Sequence, residues 1–362
     1  MSLRWFSFFL FIASSLFSQG ESERAASVRS MFDRDLVLYH VPPQEVSWLW
    51  TQNIPISRLK KVKQHEIEKA LYHIKNFSKS VQKPTRDASN PDNLWKNSHF
   101  GNLPFDETRT LRHVKGFFIS ANDVITPGQV YIVSEAPKQS TLLDFWKTIF
   151  ETDTRTVLAL AMPDPKPIRY PAYWEEKYLP KSVEGWTVRK VSEKVLYKST
   201  IDPSQRIVKR TFQAVKNEEA RTITHLHCEN WPDHGAAASD LFYELLRFVE
   251  ANHTSASKPI WVHCVAGIGR SGTFVAAHSL RKDLANLGGQ LDTSLINIPQ
   301  RVIELRLQRS RTLSTNVQLT AVYNAVKQYI DQRQAPRKTS HGKKHHHKHK
   351  HKHGHKHTSH HR

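Results

Sequence analysis

Pro259-Ile260-Trp261-Val262-His263-Cys264-Val265-Ala266-Gly267-Ile268-Gly269-Arg270-Ser271-Gly272 is the stretch that decides the fold. Pro259 to Val262 is a β-type run leading straight into the cysteine, and from Ser271 to Leu287 the composition is helical. The local plan is strand, tight loop, helix, with five residues between Cys264 and Arg270. A loop of that length, here Val265, Ala266, Gly267, Ile268 and Gly269, can curl around one tetrahedral anion. Its backbone N–H groups then turn inward, and the helix N-terminus adds the positive end of its dipole. Gly267 and Gly269 permit the tight turn, and Arg270 closes the ring with a planar fork that matches two anion oxygens. The same field lowers a cysteine thiol from about 8.5 to roughly 3.5 to 7.5, which makes Cys264 a candidate nucleophile. Ser271 is placed to donate a hydrogen bond to the sulfur as it departs.

Gly267 to Gly272 also fits the dinucleotide pattern G-x-G-x-x-G, with Asp292 about 20 residues on. Gly288-Gly289-Gln290-Leu291 is no second parallel strand of the kind that pattern requires, so the anion loop is preferred. A second chemical requirement is met upstream by Trp231-Pro232-Asp233-His234-Gly235. A thiolate displaces an alkoxide or phenoxide productively only when the departing oxygen is protonated, so a carboxylic acid must sit opposite the nucleophile. Asp233 is the candidate acid. Pro232 and Gly235 bracket it as a turn that can serve as a mobile flap, with Trp231 as its packed hinge.

The chain has 362 residues, 38% of them apolar and 10% aromatic, enough for a real core, and a formal charge of +20. Residues 332–362 hold no acid, ten Lys or Arg and eleven of the 22 histidines, so half of the charge sits in a tail. The body is only moderately basic, and no specific nucleic-acid partner is read from it. Residues 1–20 read as an export signal: Arg4, the apolar stretch Trp5 to Phe17, then Ser18-Gln19-Gly20. That stretch is shorter than the roughly 20 residues that cross a bilayer, so the expected location is secreted or in the secretory lumen, with cytoplasmic as the alternative. The sequons at Asn76 and Asn252 are compatible with export. Only Cys228 and Cys264 occur, too few for a disulfide framework. Oxidation of an exported Cys264 to a sulfenic acid, or to a disulfide with Cys228 if geometry permits, stays open.

Periodicity supplies the other elements. Ile67, Leu71 and Ile74 mark an amphipathic helix across Ser57 to Phe77, with Ser57 as its expected N-cap, and Lys83 to Asn93 reads as a loop. Val157 to Met162 is an expected buried strand, and Thr222 to Cys228 alternates with His225 and His227 on one face. Helices are expected from near Ser239, from Leu295 to Gln308 and from Asn316 to Ile330. The expected organisation is a signal over 1–20, a flexible segment over 21–32, one α/β catalytic domain over 33–331 with a twisted mixed sheet flanked by helices, and a disordered tail over 332–362.

The signature His-Cys-x5-Arg-Ser-Gly at His263 to Gly272, together with the Trp-Pro-Asp-x-Gly loop at Trp231 to Gly235, resembles the tyrosine-specific protein phosphatase family. Asn93 to His99 and Pro104 to Arg109 resemble its Lys-Asn-Arg-Tyr to Pro-Tyr-Asp-x-Thr-Arg segment. Tyr131-Ile132 to Pro137, Asp144-Phe145-Trp146 and Tyr173-Trp174 resemble further blocks, and Leu305-Arg306-Leu307-Gln308-Arg309 the stretch before its glutamine loop. The resemblance implies a two-step hydrolysis of phosphotyrosine in proteins through a phosphocysteine, without metal or cofactor. It carries over Cys264, Arg270, Asp233, Ser271 and His263 as catalytic positions, and residues 265–270, His99, Trp231 and Gln318 as substrate-binding ones. His99 stands where the family has the tyrosine that stacks on the substrate ring, Ser98 replaces its arginine neighbour, and Ser314 replaces the water-orienting glutamine. A weakly active or inactive phosphotyrosine-binding protein is therefore the alternative. The pair His225 and His227 has no second ligand cluster and is set aside as a metal site. The Lys/His run of 341–362 suits a polyanion or a transition metal.

Overall fold

The computed structural model describes residues 19–98, 100–164, 170–253 and 255–334. All but the last two residues of the expected signal, His99, Thr254 of one sequon and residues 335–362 of the tail lie outside the described residues. In chain order come α1 (Gln19–Leu38), α2 (Pro43–Thr51), β1 (Ile54–Pro55), α3 (Gln64–Ser80), β2 (Ala121–Thr126), β3 (Gln129–Ser134), α4 (Leu142–Glu151) and β4 (Thr156–Ala159). They are followed by β5 (Thr187–Lys198), β6 (Arg206–Lys216), β7 (Glu219–Glu229), α5 (Ser239–Asn252), β8 (Ile260–His263), α6 (Gly269–Asn286), β9 (Leu295–Ile296), α7 (Ile298–Gln308) and α8 (Asn316–Gln334).

Seven strands make one sheet in the order β2-β3-β8-β4-β7-β6-β5. The three central pairings, β3 with β8, β8 with β4 and β4 with β7, are parallel; the outer ones are antiparallel. Central parallel strands are covered on both faces, which is why every residue of β4 and β8 is buried. On one face α4 packs Phe145 against Trp261 and Tyr173, and Trp146 against Phe212. The other face is covered by α6, which touches β3 and β8 and is backed by α7 and α8.

Several expected boundaries move. Residues 21–32 are helical, within α1, and the expectation of a flexible segment is corrected: Val28 and Phe32, one helical turn apart, are buried, and Phe32 stacks on Phe77. The same core reaches from Phe32 to Ile330, and α8 continues to Gln334, so the folded body extends beyond 33–331 at both ends. The amphipathic helix starts at Gln64, not Ser57. Glu66 bends back to accept the Lys63 N–H at 2.8 Å, and Ile56–Leu59 forms a separate turn. Inside the expected loop 83–93 lie the helical turns Arg86–Ser89 and Pro91–Leu94. Helix α7 starts three residues late because Asn297 accepts the Gln300 N–H at 2.9 Å, while Leu295 and Ile296 pair with β1.

Candidate active site

Strand β8 delivers Cys264 to the C-terminal edge of the sheet, and the chain turns through residues 264–268 into α6. The outward carbonyls of this loop are each held. The Val265 oxygen accepts the Ala136 N–H at 2.9 Å, and Arg309 donates to the Ala266 and Gly267 oxygens at 3.1 and 2.7 Å. The Ile268 oxygen accepts the N–H groups of Gly272 and Leu313 at 2.9 and 3.1 Å. With its carbonyls committed outward, the loop turns amide N–H groups toward the bowl, the arrangement that binds an anion. Gly267 has φ +66°, and a Cβ there would lie 2.1 Å from the Ser134 oxygen, so the loop rests directly on the end of β3.

Arg309 was not assigned a role from sequence. It is 2% exposed, and its third contact is to Asn122 Oδ1 at 2.9 Å. Burial lowers its pKa to about 10, against the pull of Glu135 and Cys264. Its signal was a set of charged residues, Arg301, Glu304, Arg306 and Arg309, in and just after a helix whose other positions are apolar or amide. Such residues are almost never buried unless paired.

Burial alone would push the Cys264 thiol up, but the Arg270 charge, the hydroxyl and N–H of Ser271 and the Ile268 N–H hold it below its ordinary value. The Ser271 hydroxyl is fully buried and has no oxygen or nitrogen partner among the described residues. Arg270 reaches to the flap: Nη1 donates to the Trp231 carbonyl at 3.1 Å, and Nη2 lies 3.0 Å from Asp233 Oδ1, while Nε is buried without a partner among the described residues. Asp233 is otherwise open to solvent, with 67% of its side chain exposed. Trp231 is buried against Phe242 and donates from Nε1 to the Gly235 carbonyl at 3.1 Å, closing the turn on itself.

Beneath the loop, His263 Nδ1 is 3.2 Å from the Cys264 carbonyl, which can only accept, so the proton sits on Nδ1. Its Nε2 must then accept, and Tyr173 donates to it at 2.8 Å. The Tyr173 oxygen in turn receives Nε2–H of His225 at 2.9 Å. Burial keeps His263 neutral, lowering its pKa to about 3. His227 donates from Nε2 to the Ala161 carbonyl at 2.9 Å and faces Arg210 on the other side, so the two strand histidines serve the sheet. No group of three or more His, Cys, Asp or Glu suited to a metal occurs among the described residues.

Cys264, Val265, Ala266, Ile268, Gly269, Asp233, Ser314 and Gln318 line one cleft of about 780 Å³. Gln318 is fully buried, accepts the Ser314 N–H at 3.0 Å and leaves Nε2 without a partner among the described residues. A Cβ on Gly269 would meet that nitrogen at 2.6 Å, so glycine there makes room for the amide against the loop. Cys228 is also buried, its thiol raised by burial, and both cysteines are free. Strand β4 separates the strands that carry them. Two strand spacings amount to about 9.6 Å, beyond the roughly 7 Å between Cα atoms that a disulfide tolerates. A direct bridge therefore requires the loop to leave its place.

The family model for protein-tyrosine phosphatase matches residues 93–328. The chain belongs to the protein-tyrosine phosphatase family. The matched span takes in the flap, the anion loop and the Gln318 segment together. Tyrosine-protein phosphatase 2 of Dictyostelium discoideum is 32% identical over 205 residues, covering 54% of this chain and 51% of that protein. Human tyrosine-protein phosphatase non-receptor type 18 is 27% identical over 252 residues, covering 66% of this chain and 52% of that protein. The chain thus spans about half the length of these relatives. A solved structure of PTPN18 in complex with HER2-pY1196 phosphopeptides superposes with a TM-score of 0.66 at 24% identity, covering 76% of this chain and 97% of that one. The phosphatase fold expected from the sequence, a mixed sheet flanked by helices with the anion loop between strand and helix, is the fold observed.

Proposed function

We propose that this phosphatase-family chain hydrolyses phosphotyrosine in proteins through a phosphocysteine. The observation that carries the reading is one cleft holding a thiol kept low by Arg270 beside inward loop amides, with a carboxyl on the flap above. An arriving phosphate dianion takes over the Arg270 fork and frees Asp233. Cys264 Sγ then bonds to phosphorus as the P–O bond to tyrosine breaks, and the Asp233 carboxyl delivers its proton to that oxygen. In the second step water attacks phosphorus, the Asp233 carboxylate takes the water proton, and Ser271 donates to the departing thiolate. Gln318, with its free amide nitrogen, is the group offered to the water or the phosphate oxygens, in place of the glutamine that Ser314 replaces.

Turnover of p-nitrophenyl phosphate under reducing conditions tests this. The wild type is expected to exceed Cys264→Ser by at least about 1,000-fold, since loss of a nucleophile removes the covalent route. Equal rates would leave a phosphotyrosine-binding protein without catalysis. Two assignments on segments wholly or almost wholly outside the described residues belong to the same proposal. Residues 1–20 direct export, and an intact Met1 on the mature protein would refute it. The 341–362 run holds a polyanion or a transition metal, and unchanged retention on heparin and on immobilised Ni²⁺ after deleting it would refute that.

A further inference from the structure

Asp233 and Gln318 belong to different segments, and one hydroxyl joins them. Thr315 Oγ1 donates to the main-chain carbonyl of His234 at 2.9 Å. The same oxygen accepts the N–H of Gln318 at 3.3 Å, so Thr315 caps α8 while reaching across to the flap. The ends of the flap are anchored independently of its tip. Asn230 Nδ2 donates to the Ser204 carbonyl at 2.7 Å, the Trp231 ring is packed on Phe242, and Ala238 N–H donates to Gln205 Oε1 at 2.9 Å.

At the tip only two side-chain ties to other segments appear among the described residues: Asp233 to Arg270, and His234 to Thr315. The first is lost in the productive complex, because the phosphate needs the Arg270 fork. His234 holds φ +56°, in the left-handed region that His enters more readily than most residues with a Cβ. Its carbonyl is the atom that Thr315 grips. We infer that Thr315 is the positioning residue that keeps Asp233 over the leaving oxygen once Arg270 has turned to the phosphate. The inference rests on the phosphatase reading above. Proton balance is unchanged: Asp233 gives its proton to the phenolic oxygen as the S–P bond forms and the P–O bond breaks, and Thr315 gives up none.

The test separates latch from cap. Thr315→Asp keeps an acceptor for the Gln318 N–H but has no proton for His234; Thr315→Val loses both, and Thr315→Ser keeps both. The readout is kcat/KM for phenyl phosphate, whose leaving oxygen needs protonation, divided by that for a difluorinated umbelliferyl phosphate, whose leaving group departs as an anion. The ratio removes the uniform effect of an added charge on two equally anionic substrates. Thr315→Asp and Thr315→Val are expected to lower it about fivefold to tenfold, the value of one hydrogen bond, with Thr315→Ser within about twofold of wild type. Asp233→Asn should shift the ratio in the same direction and further. An unchanged ratio in Thr315→Asp, or Thr315→Ser behaving like Thr315→Val, overturns the inference. Amide exchange at His234 and Gly235 is read on the same proteins and is expected to accelerate in Thr315→Asp. Wild-type turnover of neither substrate above Cys264→Ser would sink the phosphatase reading itself, and unchanged exchange would then sink the latch as well.

Discussion

Tyr173 has one hydroxyl proton and two imidazole nitrogens to satisfy with it, and that shortage orders the whole chain beneath the loop. Because His263 keeps its proton for the Cys264 carbonyl, the donor direction runs from His225 through Tyr173 to His263 and ends on that carbonyl. Removing the hydroxyl strands an imidazole N–H and an imidazole acceptor in a region without water access. Tyr173→Phe is expected to cost about 1–3 kcal/mol, read as a lower urea midpoint, although the side chain shrinks by only one atom; an unshifted midpoint would refute the donor chain. At this scale the sequence displayed the groups to which the proposed reaction assigns chemistry and hid their supports. Cys264, Arg270 and Asp233 stand in patterns whose spacing has a chemical reason. Arg309 and Thr315 act on backbone oxygens of segments more than forty residues away, and nothing in local spacing announces such contacts.

Helix α1 shows what an element loses in a sequence reading when only one stripe of it is buried. The first twelve residues of Gln19–Leu38 offer only Ala25, Ala26 and Val28 as apolar positions, so no period stands out there. Yet Phe32 lies with its ring centroid 6.1 Å from Phe77 of α3 and 6.5 Å from Trp50 of α2. It is the knot that ties the N-terminal helices to the domain. Phe32→Ala is expected to destabilise by about 3–5 kcal/mol, as for a fully buried aromatic truncated to a methyl. Loss of less than about 1 kcal/mol by urea titration would mean that α1 docks by other contacts. Strands β5 and β6 escaped notice for the opposite reason from β8. β8 is buried on both faces and reads as an apolar run, whereas β5 is the sheet edge, and Arg189, Lys190, Glu193 and Lys194 interrupt any alternation. Charged side chains on an edge strand discourage pairing with another chain, so the feature that protects the edge also conceals the strand.

Across the molecule, charge and histidine divide into two populations with different consequences. Half of the formal +20 lies in 332–362, while the histidines of the sheet and its helices are buried neutral. His225, His227, His253, His263 and His278 all have their pKa lowered, in each case first by burial. Arg210 reinforces the effect at His225 and His227, partly offset at His227 by Glu229, and Lys282 and Arg281 reinforce it at His278. Each group binds a proton more readily unfolded than folded, so its stabilising contribution is complete above the unfolded value of about 6.5 and drains away as pH falls below it. For His263 the loss continues down to about 3. A group that is neutral when folded and protonated when unfolded contributes a slope approaching about 1.4 kcal/mol per pH unit once pH is well below 6.5, and the five losses run in the same direction. The urea midpoint is therefore expected to fall as pH drops from 6.5 to 5. A midpoint that holds steady over that interval would show that these imidazoles take up protons as readily folded as unfolded. His263 would then be charged below about pH 6.5, and its Nε2 could no longer accept the Tyr173 proton.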